Sequence, residues 1–79
     1  MVYWNFARAV RENEPCKING INIWNHNWHC VNHKVEVKDP YEGQVYYFKE
    51  YEIEDGSKKI NFVAGEFLDG KVGIYLKEE

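Results

Sequence analysis

The residues best suited to bind a metal or to carry thiol chemistry lie in one short segment. Residues 26–33 contain every histidine of the chain and one of its cysteines, as His26, His29, Cys30 and His33. On a helix these side chains would fall at i, i+3, i+4 and i+7, forming one face of nitrogen and sulfur ligands suited to zinc. A zinc-binding protein is therefore one functional hypothesis.

The composition of this segment favours a strand instead. Its asparagines, tryptophan and valine are weak helix formers, and the alternation of the following residues extends back through Val31. On a regular strand His29 and His33 would share a face but lie ~13 Å apart, with Cys30 on the opposite face. We therefore predict no metal site and no cofactor, with His33 packed among valines and the other histidines in solvent.

The same strand geometry argues against an enzyme. A thiolate nucleophile needs an imidazole within hydrogen-bond reach, and a regular strand directs Cys30 away from His33. The chain has no threonine, and its single serine, Ser57, lies in a turn-like stretch, which excludes hydroxyl nucleophiles. Three glutamates alternate along one strand, where they most simply keep a face solvated. They are Glu50, Glu52 and Glu54.

Length and composition predict one soluble domain, 1–79. A chain of 79 residues buries too little surface for two cores, while 44% hydrophobic residues suffice for one. The net charge of -3 and the scattered lysines argue against nucleic acid as a partner. No apolar run approaches the ~20 residues that span a bilayer, and no export signal is evident, so we predict a cytoplasmic protein with reduced Cys16 and Cys30.

The first residues show a helical spacing. Tyr3, Phe6, Ala7 and Val10 fall at i, i+3, i+4 and i+7, which predicts a short amphipathic helix. The helix should stop before Pro15, which lacks an amide hydrogen.

A hairpin is predicted directly after this proline. Asn19-Gly20 is the residue pair best able to adopt the two positive φ angles of a type I′ turn. Ile18 would then pair with Ile21. Counting outward by twos places four apolar residues on one face. They are Cys16, Ile18, Ile21 and Ile23.

The remaining sequence alternates with the period of strands. Val31, Val35 and Val37 predict one strand, and the next runs from Gln44 to Ile53. A further strand begins near Ile60, and its apolar positions change parity further on, which predicts a bulge near Gly65. Turns at Asp55-Gly56-Ser57 and Asp69-Gly70 separate the later strands.

These elements predict an α+β fold with a short N-terminal helix followed by an antiparallel meander of about five strands. The sheet would be strongly curled or form a small, partly open barrel. A helix ~15 Å long cannot cover both faces of a sheet ~19 Å across. Either the sheet curls into a small barrel with the helix at one end, or a second molecule covers the exposed face, most simply in a homodimer.

The surplus aromatic residues predict where a partner binds. Some must lie outside the core, and those selected as a binding surface are Trp24, Trp28, Tyr46 and Phe48. The predicted function is a non-catalytic binding or protein-interaction module whose partner is another protein or a second copy of the chain.

Overall fold

The computed structural model describes residues 4–77, which are mostly strands. The strands are β1 (Trp4–Val10), β2 (Lys17–Ile18), β3 (Ile21–Asn22), β4 (His29–Lys38), β5 (Val45–Asp55), β6 (Lys58–Glu66) and β7 (Val72–Lys77). A single 3-10 turn, Ile23–Asn25, follows β3. Within the described residues no helix has the length and apolar character needed to cross a membrane.

The main sheet is antiparallel and contains five strands in the order β1-β7-β6-β5-β4. Strands β4 to β7 form a meander of four strands, whereas about five including the hairpin were predicted, and β1 adds to the far edge beside β7. The hairpin of β2 and β3 forms a separate two-stranded sheet. Neighbours in the sequence therefore pair from β4 to β7 and within the hairpin, whereas β1 pairs with β7, the last described strand.

The predicted N-terminal helix is wrong, and so is the α+β fold class that depended on it. β1 pairs with β7 along its whole length, with a register shift between Phe6 and Arg8. The extra residue in the bulge lets Phe6 and Ala9, three positions apart, both pack against the inner cluster described below. A bulged strand thus reproduces part of a helical spacing. Tyr3, the first residue of the predicted helical face, lies outside the described residues.

The predicted hairpin is confirmed. Ile18 pairs with Ile21, and the turn residues Asn19 and Gly20 have φ angles of 51° and 81°. The amide of Ile23 donates to the carbonyl of Cys16 at 3.0 Å, extending the pairing beyond the strands. All four residues predicted for the apolar face are buried.

Two apolar clusters lie on opposite faces of the main sheet. The outer cluster is covered by the hairpin and contains Val10, Cys16, Ile18, Ile21, Ile23, Ile53, Ile60, Phe62, Ala64, Val72 and Ile74. The inner cluster contains Val35, Val37, Phe48, Val63, Phe67 and Tyr75. β6 and β7 contribute alternate residues to each. The bulge predicted near Gly65 is therefore wrong, since β6 pairs without a register shift and simply buries both faces.

The sheet curves around the inner cluster without closing. The Tyr75 hydroxyl on β7 donates to the carbonyl of Lys38, the last residue of β4, at 2.6 Å. In a flat sheet these strands, three spacings apart, would be ~14 Å from one another, beyond the reach of a tyrosine. Phe6 on β1 likewise meets Tyr41, beyond the end of β4, with ring centroids 6.1 Å apart. The sheet is not closed into a barrel, because β1 and β4 remain the two edges of the described sheet.

Two glycines allow aromatic rings to approach the inner face of this sheet. Gly65 on β6 and Gly73 on β7 pair with each other. A Cβ atom on Gly65 would overlap the ring of Phe48, and one on Gly73 would overlap the ring of Phe67. Both rings are buried, so neither can move aside without disturbing the inner cluster.

Gly65→Ala should therefore destabilise the protein by about 1–3 kcal/mol, because the added methyl group overpacks the site. Urea denaturation followed by circular dichroism measures the loss. The double variant Gly65→Ala/Phe48→Leu should cost less than the sum of its single variants, since leucine removes the clashing ring. Strictly additive costs would contradict the proposed contact.

Tyr75 should make stability fall at alkaline pH. Burial, followed by the charge of Asp39, raises the pKa of Tyr75 from 10.0 to about 12. The folded protein holds this proton more tightly than the unfolded chain. The resulting stabilisation is complete below pH 10 and is lost as the pH rises from 10 to 12. The free energy of unfolding lost over this pH range is about 2–3 kcal/mol.

Tyr75→Phe separates this contribution from the general effect of alkali. At neutral pH the variant should be about 1 kcal/mol less stable, because the Lys38 carbonyl loses its donor. Between pH 10 and 12 the difference should shrink and then reverse, as measured by urea denaturation at each pH. Tyr47→Phe, at a residue 59% exposed, is the matched control. Parallel pH profiles for the wild type and Tyr75→Phe would refute the assignment.

Candidate functional site

A depression of about 380 Å³ opens on the outer face of the sheet, beside the hairpin. Its volume lies within the range of small-ligand pockets. The residues that line it come from β5, β6, β7 and the segments on either side of the hairpin. They are Glu12, Trp24, Trp28, Tyr51, Ala64, Gly65, Glu66 and Val72.

The hairpin and the turn after it hold Trp24 in place. Buried Ile23 attaches this turn to the outer cluster, and the side chain of Asn22 accepts a hydrogen bond from the Trp24 amide at 3.2 Å. The Trp24 indole Nε1 donates to the carbonyl of Glu14 at 2.6 Å. Trp24 thus forms hydrogen bonds with a residue before the hairpin and with a residue of its second strand.

Trp28 connects the depression to the core. Its indole Nε1 donates to the carbonyl of Ile23 at 2.7 Å. Its ring stacks on Trp24 with a centroid distance of 5.3 Å and meets Phe62 edge to face at 5.0 Å. Tyr51 packs beside it at 5.1 Å. Trp28 therefore supports both the outer cluster and the wall of the depression.

The polar groups of the depression carry one sign of charge. Glu12 and Glu66 are the charged residues in its lining, and both are exposed. Neither forms an ion pair with another residue in the described range 4–77. Because both indole N–H groups already donate within the protein, the tryptophans present ring carbons to a ligand. The depression thus combines aromatic surface with carboxylates.

The four residues predicted as one binding surface lie on two faces of the sheet. Trp24 and Trp28 line the depression on the outer face. Phe48 is buried in the inner cluster, and Tyr46 packs beside it with ring centroids 5.3 Å apart. The structure therefore brings together only the two tryptophans of the predicted set.

Sequence reasoning missed the other groups that line the depression. Tyr51 is two positions from Ile53 on one strand, so its parity placed it on the same face as a core residue. That signal was available. No such signal was available for Glu12 or Glu66. Glu12 falls within the predicted helix, and Glu66 adjoins the wrongly predicted bulge.

The histidine segment forms a strand from His29 onward, as predicted, but its geometry differs from a regular strand. β4 shows register shifts between Cys30 and Asn32 and between Asn32 and Val35. Cys30 Sγ consequently lies 3.6 Å from His33 Nδ1, and it donates to the carbonyl of Asn32 at 3.6 Å. The prediction that Cys30 points away from His33 is wrong, because it assumed strict alternation. His33 is exposed instead of packing among valines.

The structure gathers no set of metal ligands from this segment. His26 and His29 line a second depression together with Glu52 and Glu54. Cys30 and His33 lie together further along β4. Across residues 4–77, no three histidine, cysteine, aspartate or glutamate side chains come close enough to hold one ion.

The two cysteines should react with thiol reagents at very different rates. Cys16 is fully buried, and this burial raises the pKa of its thiol, although Arg8 opposes the shift. Cys30 is only half-buried on an edge strand. A disulfide reagent should modify one thiol of the native protein quickly and the second only upon unfolding. Cys30→Ser should remove the fast phase. A fast phase that persists in this variant would contradict the burial of Cys16.

Comparisons of the chain with protein-family models, with curated proteins and with solved structures found no significant match.

Proposed function

We propose that this chain is a non-catalytic binding domain and that the outer-face depression is its ligand site. The observation that carries the proposal is the stacked pair of Trp24 and Trp28, fixed by two indole hydrogen bonds, beside an open cavity. A rigid aromatic surface contributes binding free energy with little loss of conformational entropy. The ligand in this proposal belongs to a protein partner.

The chemistry of the lining supports binding over catalysis. Apart from the phenol of Tyr51, its titratable groups are the exposed carboxylates of Glu12 and Glu66. A carboxyl group that serves as a general acid near neutral pH is normally buried in apolar surroundings, which these are not. The contact between Cys30 and His33 lies on β4 and contributes no group to the lining.

The zinc-binding alternative has no comparable support. It would need His26, His29, Cys30 and His33 to converge, whereas two of them line one depression and the other two meet further along the strand. Nucleic acid is not proposed as the ligand, because the charged residues that line the aromatic depression are both acidic.

Within residues 4–77 the structure does not have the uncovered sheet face from which a homodimer was predicted. That prediction assumed one short helix and an uncovered sheet face, whereas each face of the described sheet carries a buried cluster. A different protein is therefore the partner that we favour. We also propose a reducing, cytoplasmic location, which is supported by two free cysteines in the described residues.

Nuclear magnetic resonance with three small probes, each carrying a trimethyl-substituted head group, tests the binding site. The probes are choline, its uncharged carbon analogue 3,3-dimethyl-1-butanol, and the anion pivalate. At least one should shift the indole and ring signals of Trp24, Trp28 and Tyr51 in a saturable manner. Trp24→Ala should weaken that binding about ten-fold or more, because it removes one aromatic wall.

Tyr47→Ala is the matched control, since Tyr47 is an exposed aromatic residue outside the depression. It should leave probe binding unchanged. If Trp24→Ala does not fold, Trp24→Leu keeps an apolar side chain and should still weaken binding. The proposal fails if no probe produces saturable shifts at the three rings, or if Tyr47→Ala weakens binding as much as the Trp24 variants do.

A further inference from the structure

We infer that the depression selects a weakly hydrated organic cation. This cation is the side chain of an arginine or of a methylated lysine in a protein partner. This inference rests on the proposed function and specifies its ligand. Three features of the site support it: the aromatic faces, the engaged indole donors and the sign of the neighbouring charges.

The first feature is the set of aromatic rings. Trp24, Trp28 and Tyr51 all line the depression, and Trp28 lies within 5.3 Å of both other rings, measured between centroids. The face of an aromatic ring carries the negative end of its quadrupole and attracts cations, most strongly in tryptophan. The three rings pack against one another and together line the depression, so a methylated ammonium group would lie on this continuous aromatic surface.

The second feature is the shortage of hydrogen-bond donors for an anion. The indole N–H groups of Trp24 and Trp28 already donate to the carbonyls of Glu14 and Ile23. Among the sheet residues of the lining, Tyr51, Ala64 and Val72 have register partners on both sides. Gly65 and Glu66 have register partners on β7. Of the described side chains that line the depression, only the Tyr51 hydroxyl is left to donate to an anion. A carboxylate or phosphate would therefore lose more hydration than this one donor replaces.

The third feature is the charge. Glu12 and Glu66 line the depression beside the rings, and among residues 4–77 no lysine or arginine lines it. Of the arginines nearest to Glu12 in sequence, Arg11 pairs with Glu14 at 3.8 Å, and Arg8 lies against Cys16. The carboxylates are therefore free to act on a cationic ligand.

The apolar rings distinguish between cations. A primary ammonium group is compact and strongly hydrated, so its transfer onto aromatic surface is costly. Guanidinium and methylated ammonium groups carry a diffuse charge and are more weakly hydrated. The site therefore favours arginine or methylated lysine over unmodified lysine.

Choline and 3,3-dimethyl-1-butanol test the charge preference, because they differ in charge but hardly in shape. Titrations followed by the Trp24 and Trp28 signals should show choline binding about ten-fold more tightly than the alcohol. Glu12→Gln and Glu66→Gln should each weaken choline binding about two- to five-fold and leave the alcohol unaffected. Glu36→Gln, at an exposed acidic residue that does not line the depression, should change neither affinity.

The outcomes separate this inference from the proposed function. Equal binding of choline and the alcohol, or preferred binding of pivalate, would overturn the cation preference while leaving a functioning site. Absence of binding by all three probes would overturn both proposals.

Peptides identify the source of the cation. Short peptides of one sequence, carrying trimethyl-lysine, arginine or unmodified lysine at the central position, are compared by calorimetry. Trimethyl-lysine or arginine should bind at least about ten-fold more tightly than lysine, and more tightly than free choline. Tight choline binding with no response to any peptide would overturn the assignment to a protein partner and indicate a free quaternary ammonium compound.

Discussion

The structure depends on the burial of two apolar faces by one sheet in a chain of 79 residues. The alternating side chains of β6 and β7 supply both clusters, so neither face can be left to solvent. The inner face is covered by curvature of the sheet itself, with Tyr75 reaching across to the end of β4. The outer face needs a separate cover, which the hairpin of β2 and β3 provides.

The candidate site follows from the way in which that cover is attached. The hairpin is too small to protect the whole outer face, and the two tryptophans that follow it extend the covering beyond the isoleucines. Trp28 completes the outer cluster through Phe62, while Trp24 stacks outside it. The depression lies at the edge of the surface that the hairpin and the two tryptophans cover. In the proposed function, stability and ligand binding share the same side chains, which would give the site rigidity without additional structure.

Irregular strands explain most differences between prediction and structure. One bulge in β1 places Phe6 and Ala9 on a common face, so that an aromatic-rich strand shows part of a helical spacing. The register shifts in β4 bring Cys30 and His33 together where strict alternation separates them. A bulge depends on pairing with another strand, so single-sequence periodicity cannot locate it reliably. The bulge wrongly predicted near Gly65 has a related cause. Strand β6 buries residues on both faces, so its apolar positions do not follow one alternating pattern.

The amino-acid sequence by itself determined the local features of this protein. Asn19-Gly20 specified the hairpin turn and its register, because the required φ angles are a property of those two residues. Alternation likewise specified the meander from β4 to β7. Only the tertiary structure decided that β1 is a strand, that Tyr46 and Phe48 lie away from the tryptophans, and which residues line the depression. The physical reason is that a side chain's face depends on register with a distant partner strand, and one inserted residue reverses it.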